Sequence, residues 1–302
     1  MFVAHPGGSP LNVAVGLARL DHPTALLARL ATDAFGRVLR AHARDNGLDL
    51  SAAPFATEPT TLAVVSLDEQ RRASYDFYLD RTADWQWTAA ELAAIPANAQ
   101  LVHTGSLASW TPPGDARIAD AIATLHQAGR VLISYDPNVR PRLIGTPERG
   151  RRLVERFIAI AHIVKASDED IGWLYPGVTL DQAAAGWLRL GARLVVVTTG
   201  PHGALAFRAE RPLLHRPAPA VELVDTVGAG DALMSGLLSS LVQAGVTEPS
   251  AVGLLDDDAA LSGVIDRAIM TAAITCERAG ANPPTAAELA DRIGNRATHE
   301  AQ

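Results

Sequence analysis

A run of small residues between two aspartates is the strongest candidate for chemistry in this sequence. It reads Asp225-Thr226-Val227-Gly228-Ala229-Gly230-Asp231 and lies between a strand-like stretch, Val221–Val224, and a helical pattern, Asp231–Ala244. Small residues allow a tight turn whose free amides converge at the positive end of the next helix, a place that favours an anion. Asp231 would repel a bound phosphate unless it took a proton from a hydroxyl that attacks that phosphate. The alternative is an ordinary turn in which Asp231 only caps the helix.

Two other turns carry side chains that could bind a polyol or an anion. Gly7-Gly8 precede a helical pattern that starts near Pro10, and Asn12 in its first turn could bond two vicinal hydroxyls; the alternative is a helix entry whose glycines only turn the chain. The run Asp136-Pro137-Asn138-Val139-Arg140 follows a predicted strand, and the rigid proline would present Asn138 and Arg140. Arg140 could clamp a phosphate or a sugar carboxylate, or remain a solvated turn residue.

Two more strand ends carry polar residues. Lys165, the only lysine of the chain, ends a predicted strand and precedes the acidic run Asp168-Glu169-Asp170. These carboxylates could hold waters around Mg²⁺, or could complement the dipole of a helix that begins there. The run Thr198–Gly203 closes a further strand, and its spacing alone predicts no more than a β turn.

The composition excludes several classes of protein. The 302 residues are 48% hydrophobic and 20% charged, which predicts a folded chain with a large core. A net charge of −7 argues against a nucleic-acid or anionic-membrane binder. The single cysteine, Cys276, excludes an intrachain disulfide framework and a multi-cysteine zinc site. No apolar run approaches the ~18 residues that span a bilayer and no signal segment opens the chain, so we expect a cytoplasmic protein.

Strand-like and helical patterns alternate along the chain and must position these residues. The predicted strands are Thr24–Leu30, Leu62–Leu67, Gln100–Thr104, Arg130–Tyr135, Ala161–Lys165 and Arg193–Thr199. The predicted helices are Leu11–Leu20, Phe35–Asn46, Pro113–Ala128, Glu148–Ile160, Leu180–Leu190, Asp231–Ala244 and Ile265–Arg278. Repeated strand–helix units with consecutive apolar positions predict an α/β fold, with a mostly parallel central sheet covered by helices on both faces. The polar strand ends should meet at the carboxyl edge of that sheet, where such folds bind ligands.

One region, Thr60–Trp87, breaks this pattern. It is predicted to form two strands joined by a polar turn at Asp68–Arg72, a hairpin that could cover a ligand site as a lid. Trp85 and Trp87 lie two apart, hence on one face of a strand, and are expected to pack within that lid. The acidic segment Leu254–Gly263 is predicted to be a surface insertion without chemistry. No linker is evident, so residues 1–302 are expected to form a single domain.

The run Asp225–Asp231 resembles the D-T-x-G-A-G-D signature of the ribokinase-like (PfkB) carbohydrate kinases. Gly7-Gly8-Ser9-Pro10-Leu11-Asn12-Val13-Ala14 is similar to that family's G-G-x-x-x-N-x-A motif, and the segments at Gly105, Asp136, Lys165 and Thr198 follow its order and approximate spacing. The fructokinase and 2-keto-3-deoxygluconate kinase branch is the most similar. The resemblance implies ATP-dependent phosphorylation of a primary hydroxyl on a small sugar, and a ribokinase-like sheet with a small β lid.

The resemblance also implies roles for particular residues. The catalytic group is Asp231 as general base with Gly228, Ala229 and Gly230. The sugar-binding residues are Gly8, Asn12, Asn138 and Arg140, and the nucleotide-binding residues are Lys165, Thr198, Gly200, Gly203 and Asn282. Asp170 would hold Mg²⁺ through water, and a monovalent cation such as K⁺ would bind at Asp225, Val227, Thr275 and Gly280.

The acceptor and the start of the chain stay open at this point. Members of the family have a core strand and a sugar-gripping acid before the Gly-Gly motif, whereas Gly7 follows Met1 by six residues, so we expect that strand to be missing here. Fructose is the first expected acceptor, followed by 2-keto-3-deoxygluconate and then ribose or a nucleoside. The alternatives are a non-catalytic sugar or nucleotide sensor on the same fold, and a dinucleotide-dependent oxidoreductase, which the lack of a G-x-G-x-x-G motif disfavours. A homodimer through the lid is the expected protein partner.

Overall fold

A six-stranded sheet forms the centre of the computed structural model, which describes residues 4–67 and 73–300. The strands are β1 (Leu30–Ala31), β2 (Phe55–Ala56), β3 (Leu62–Leu67), β4 (Ala73–Tyr78), β5 (Leu101–Gly105), β6 (Leu132–Asp136), β7 (Ile163–Ser167), β8 (Leu194–Thr198), β9 (Ala204–Phe207) and β10 (Leu214–Arg216). The central sheet has the order β10-β9-β8-β7-β6-β5. Strands β5 to β8 are parallel, and β9 and β10 are antiparallel additions, so the predicted mostly parallel sheet is confirmed.

Helices cover both faces of this sheet. They are α1 (Ser9–Arg19), α2 (Ala34–Asp45), α3 (Ala89–Leu92), α4 (Gly114–Ala128), α5 (Pro141–Ile144), α6 (Pro147–Ile158), α7 (Asp168–Leu174), α8 (Leu180–Leu190), α9 (Ala229–Gln243), α10 (Asp258–Cys276) and α11 (Ala286–Glu300). Short 3-10 helices lie at Ala83–Trp85, Ser106–Ser109, Gly200–His202 and Pro249–Asp256. Neighbours in β6 such as Leu132 and Ile133 enter different core clusters, which explains why consecutive positions are apolar.

The carboxyl ends of the four parallel strands lie at one edge of the sheet. They end at Gly105, Asp136, Ser167 and Thr198, and the pairing registers β5–β6 and β7–β8 bring these ends side by side. The polar segments predicted after the strands therefore start from a common edge, as parallel pairing requires.

The lid region is shorter than its sequence pattern predicts. Strands β3 and β4 pair antiparallel from Leu62–Tyr78 to Leu67–Ala73, and the predicted turn Asp68–Arg72 lies outside the described residues. The expected strand up to Trp87 is wrong beyond Tyr78. Trp85 ends a 3-10 helix, and it is buried together with Trp87 against α4, where Gly114 leaves room for the backbone of Trp85. Both tryptophans thus pack in the body of the protein rather than in the lid.

Three other predicted elements differ from the structure. The strand expected at Thr24–Leu30 is reduced to β1, with one isolated bridge at Ala25. The segment Val221–Val224 is irregular, and none of the described strands pairs with it. The segment Leu254–Gly263 is mostly exposed, as predicted for a surface segment, but it is part of regular structure rather than an insertion. It completes a 3-10 helix and opens α10, and Leu255 and Leu261 are almost fully buried.

Helix α10 is also the one described helix with the length and composition of a membrane span. Its mean hydropathy is 1.4 and 56% of the window is buried inside the protein. It packs along α9, where Gly236 lies directly against Thr271. A core helix has these same properties, so they are weak evidence for a membrane.

Candidate active site

The turn before α9 is held by the side chain of Asp225. Its Oδ1 accepts a hydrogen bond from the Val227 amide at 3.0 Å, and its Oδ2 accepts one from the Gly280 amide at 2.8 Å. Although burial opposes ionisation, these backbone donors lower the pKa of Asp225, so the carboxylate stays charged. Gly228 then starts the helix at φ +78, a left-handed conformation, with no space for a Cβ beside Ala281. The predicted small-residue turn is therefore required by backbone geometry.

Asp231 lies in the first turn of α9, and two side chains of α1 hold its carboxylate. Ser9 Oγ donates to Oδ1 at 2.7 Å, and Asn12 Nδ2 donates to Oδ2 at 2.8 Å. Asp231 is only 9% exposed. Burial raises the pKa of Asp231, although the bonds from Asn12 and Ser9 and the nearby Lys165 ammonium partly offset it. The predicted base thus contacts the predicted sugar-binding Asn12, 219 residues away in the chain.

The packing of α1 along α9 makes this contact. One turn beyond Asn12, Gly16 lies so close to Ser235 that a Cβ would be 2.3 Å from its Oγ. Farther along, His22 Nε2 and Ser239 Oγ lie 2.8 Å apart. Asp231, Ser235 and Ser239 are spaced four residues apart and therefore lie on one face of α9. Each contacts α1 or the segment that follows it, so the two helices run side by side away from the site. Gly16 sets the close approach that brings Asn12 to Asp231.

Lys165 and Asp136 form a buried ion pair beside the first turn of α9. Their side chains are 6% and 2% exposed, and Nζ lies 2.7 Å from Asp136 Oδ2. Nζ also donates to the Gly230 carbonyl oxygen at 3.3 Å, and a Cβ on Gly230 would be 3.1 Å from Nζ. Burial alone would lower the pKa of Lys165, but the charges of Asp136, Asp231 and Asp170 outweigh it and raise the pKa. The ammonium therefore stays charged next to Asp231.

A partly buried histidine, which the sequence reasoning missed, lies close enough to Lys165 to feel its charge. His103 on β5 pairs with Ser134 on β6 at 2.9 Å between Nδ1 and Oγ. Burial, and then the charge of Lys165, lower the pKa of His103 to about 3, so the imidazole is neutral. Its position inside an apolar strand gave no signal in the sequence. Ser9 was missed as well, although its spacing of three from Asn12 predicts a shared helix face.

The loop after β6 is held by Asp136 and Asp170. Asp136 Oδ1 accepts from the Asn138 amide at 3.1 Å, and Asn138 has φ +39. Asp170 Oδ1 accepts from the Val139 amide at 2.8 Å, and Oδ2 accepts from the Ser167 amide at 3.1 Å. Burial, and then the charge of Asp136, raise the pKa of Asp170. Both oxygens of Asp170 thus accept hydrogen bonds from backbone amides, one of which caps α7 and the other of which holds the loop after β6. The prediction of a metal-binding role did not anticipate these bonds.

Arg140 points back to its own loop. Its Nη1 donates to the Val139 carbonyl at 2.9 Å and to the Asn138 carbonyl at 3.3 Å. No described contact joins Arg140 or Asn138 to Asp231. The structure therefore brings Asn12 to Asp231, and it leaves Asn138 and Arg140 on the loop after β6.

The residues predicted to bind nucleotide, apart from Lys165, lie in two segments, the turn Thr198–Gly203 after β8 and the loop before α11 that contains Asn282. Thr198 ends β8 and donates to the Ala166 carbonyl at 3.4 Å, and Gly200 starts the following 3-10 helix. Gly203 has φ +95, and a Cβ there would be 2.1 Å from the Arg216 carbonyl oxygen, so packing already requires a glycine. Asn282 accepts a hydrogen bond from Arg19 Nη1 at 2.5 Å. The described hydrogen bonds join none of these residues to the turn Asp225–Asp231.

The carbonyl groups predicted to hold a monovalent cation are partly engaged already. The Thr275 carbonyl accepts from the Arg278 amide at 3.1 Å, and the Gly280 carbonyl accepts from the Asn282 amide at 2.8 Å. The Asp225 side chain, as described above, fixes both loops. Within residues 4–67 and 73–300, no group of three or more His, Cys, Asp or Glu side chains could hold a metal ion.

A comparison with protein families matches this chain over residues 1–288 to the pfkB family carbohydrate kinase model. The chain is 35% identical over 262 residues to a fructokinase of Rhizobium leguminosarum bv. trifolii, covering 87% of this chain and 79% of that protein.

Two solved structures are also similar. A fructokinase of Vibrio cholerae O395, in a form with fructose, ADP and calcium ion bound, has a TM-score of 0.82 at 28% identity, covering 96% of this chain and 91% of that one. An aminoimidazole riboside kinase of Salmonella enterica, complexed with aminoimidazole riboside and an ATP analog, has a TM-score of 0.80 at 27% identity, covering 94% and 91%.

Proposed function

The chain belongs to the pfkB family of carbohydrate kinases and is a sugar kinase, and we propose that ATP is its phosphoryl donor and fructose its acceptor. The fructokinases among its relatives support this acceptor, and the bound fructose and ADP in the Vibrio cholerae enzyme support the pairing of sugar and nucleotide. The observation that carries the proposal is the double hydrogen bond of Asp231 with Ser9 and Asn12 at the start of α9.

In the proposed reaction, Asp231 acts as the general base. Asn12 binds the sugar and places a primary hydroxyl against the carboxylate, which accepts the hydroxyl proton. The sugar oxygen then bonds to the γ-phosphorus, the bond from that phosphorus to the bridging oxygen breaks, and ADP leaves. The raised pKa of Asp231 suits this task, because a stronger base accepts the hydroxyl proton more readily.

The start of α9 stabilises the charge that develops during transfer. The amides of Val227–Gly230 lie at the positive end of the helix, which favours the phosphoryl oxygens. Lys165 adds a fixed positive charge beside the Gly230 carbonyl, where Asp136 holds it. Thr198, Gly200, Gly203 and Asn282 are proposed to line the nucleotide side, with Gly8, Asn138 and Arg140 on the sugar side.

Two metal ions are part of the proposed reaction, Mg²⁺ with the nucleotide and K⁺ at the loops of the protein. Mg²⁺, when bound to the nucleotide phosphates, neutralises part of their charge and prefers to keep several waters. Asp170 would hold one of those waters only through a lone pair that its two backbone bonds leave free. For K⁺, the loops of Asp225 and Gly280 would supply carbonyl oxygens, since the Asp225 side chain already joins these loops.

A nucleoside is the second candidate acceptor. It is favoured by the similarity to the aminoimidazole riboside kinase, whose fold matches 94% of this chain, against 96% for the Vibrio cholerae fructokinase. 2-Keto-3-deoxygluconate is the third, and it would use the guanidinium of Arg140 to bind a carboxylate. We also propose a cytoplasmic location. A homodimer through the β3–β4 hairpin is proposed as well, because a two-stranded sheet is only marginally stable alone.

An ADP-release assay with a panel of acceptors tests the proposal. The purified chain is incubated with MgATP and fructose, 2-keto-3-deoxygluconate, ribose or aminoimidazole riboside, with a no-sugar control. We expect ADP release that depends on fructose at the highest kcat/KM of the panel. Fastest turnover of another acceptor would contradict fructose, and binding without turnover of any acceptor would favour the sensor. A titration of NADH fluorescence, expected to show no binding, tests the oxidoreductase alternative.

A further inference from the structure

The two oxygens of the Asp231 carboxylate have different hydrogen-bond donors, one of which is Ser9. Ser9 Oγ bonds to Oδ1, whereas Asn12 Nδ2 bonds to Oδ2. Asn12 is the residue proposed above to bind the sugar, so the sugar hydroxyl reaches the carboxylate on the Oδ2 side. Ser9 lies on the other side, where it can keep its bond while the sugar is bound.

We propose that Ser9 is a positioning residue: its hydroxyl fixes the rotamer of Asp231 through Oδ1 and leaves Oδ2 as the atom that accepts the sugar proton. This inference rests on the proposed kinase function and adds which oxygen reacts and what orients it. Ser9 is suited to this because it occupies the first position of α1 and its hydroxyl does not cap that helix. Among the described hydrogen bonds, the Ser9 hydroxyl makes one, and its partner is Asp231.

The same bond also influences when Asp231 is ionised. A hydroxyl that donates to a carboxylate stabilises the charged form, so Ser9 opposes the effect of burial on Asp231. The charged groups that act on Asp231 from the packed strands are Lys165 on β7, which favours ionisation, and Asp136 on β6, which disfavours it. Helix α1 contributes only the neutral Ser9 and Asn12. Removal of Ser9 therefore leaves the other influences in place.

The substitution Ser9→Ala tests the proposal, because it removes the hydroxyl and keeps a good helix residue. We expect the acid limb of the kcat profile to move to higher pH by about one unit, the value of one hydrogen bond to a charged group, with KM for the sugar within about twofold. Ser9→Thr, which keeps a hydroxyl, should restore the wild-type limb. Ser51→Ala removes a serine–aspartate bond of 3.0 Å outside the site, to Asp49, and should leave the profile unchanged.

A second measurement separates this inference from the kinase proposal. Carboxyl NMR titration of ¹³C-aspartate-labelled protein, with the Asp231 signal assigned by its loss in Asp231→Asn, measures the pKa without any substrate. A rise of about one unit in Ser9→Ala supports the role of Ser9 even if no sugar is phosphorylated. Sugar-dependent turnover with the same Asp231 pKa and the same acid limb in both proteins would overturn it, and leave the kinase proposal standing.

Discussion

The buried pair of Lys165 and Asp136 gives a quantitative prediction about stability. The substitution Lys165→Met keeps the length of the side chain but removes the ammonium, and leaves the Asp136 carboxylate buried with the Asn138 amide as its remaining described donor. Breaking such a pair by removing one partner costs about 3–5 kcal/mol, a large share of the roughly 5–15 kcal/mol that stabilises a typical protein. With a urea slope of about 3 kcal/mol/M, the midpoint should fall by about 1–1.7 M.

Urea unfolding followed by tryptophan fluorescence measures this change, since the chain has five tryptophans. The exposed pair Arg211–Asp256, with side chains 46% and 53% exposed, is the matched control: Arg211→Met should cost less than about 1 kcal/mol. The double variant of Lys165→Met and Asp136→Asn should be more stable than the sum of the single effects predicts, because the unpaired charge is gone. Additive effects, or a cost of Lys165→Met no larger than the control, would refute the reasoning.

The difference in unfolding free energy between wild type and Lys165→Met should depend on pH in a definite direction. The pKa of Lys165 is raised by its carboxylate neighbours, so the stability that its ionisation contributes is fully present at neutral pH and up to the ordinary lysine value of about 10.4, and is lost as pH rises through the raised value. The gap between wild type and Lys165→Met should therefore stay constant from about pH 6 to 9. Because Lys165 is the only lysine, ¹⁵N-lysine labelling gives a single side-chain signal with which to measure its pKa.

The remaining predictions concern glycines. Gly16→Ala would place a Cβ 2.6 Å from the Cβ of Ser235, so α1 must shift; we expect a loss of about 1–3 kcal/mol in urea unfolding and a lower kcat. Gly172→Ala, in open space on α7, is its control and should be neutral or stabilising by up to about 1 kcal/mol. In Gly228→Ala the new Cβ meets Ala281 and the residue must keep a left-handed φ, so most sugar-dependent ADP release should be lost. Wild-type turnover would contradict the proposed role of the amides of Val227–Gly230.

The sequence predicted the sheet well because its signals are local. Consecutive apolar residues in β6, β7 and β8 reflect burial on both faces, and the predicted ends at Tyr135 and Thr199 lie within one residue of the observed ends, Asp136 and Thr198. The strand-like stretch Val221–Val224 was wrong for the opposite reason. Its two valines have strand propensity, but a strand needs a partner strand; Leu223 is 63% exposed, and no strand within the described residues pairs with this stretch.

The candidate site could be predicted in part. The small-residue turn and Asp231 were evident from residue types, and so was Asn12 at the start of a helix. The hydrogen bond between them was not, because it depends on how closely α1 packs on α9 at Gly16 and Ser235. The burial of Trp85 and Trp87 was missed for the same reason: a spacing of two predicts a strand face, and only the packing against Gly114 shows a 3-10 turn.

The proton-accepting role of Asp231 is tested most directly by the turnover of Asp231→Asn with fructose and MgATP. The amide keeps the size of the side chain and cannot accept the proton, so we expect kcat to fall by several orders of magnitude, about 10²–10⁴-fold from base catalysis and more from lost positioning. Urea unfolding and nucleotide binding should stay close to wild type. Fructose phosphorylation by Asp231→Asn at the wild-type rate would contradict the account.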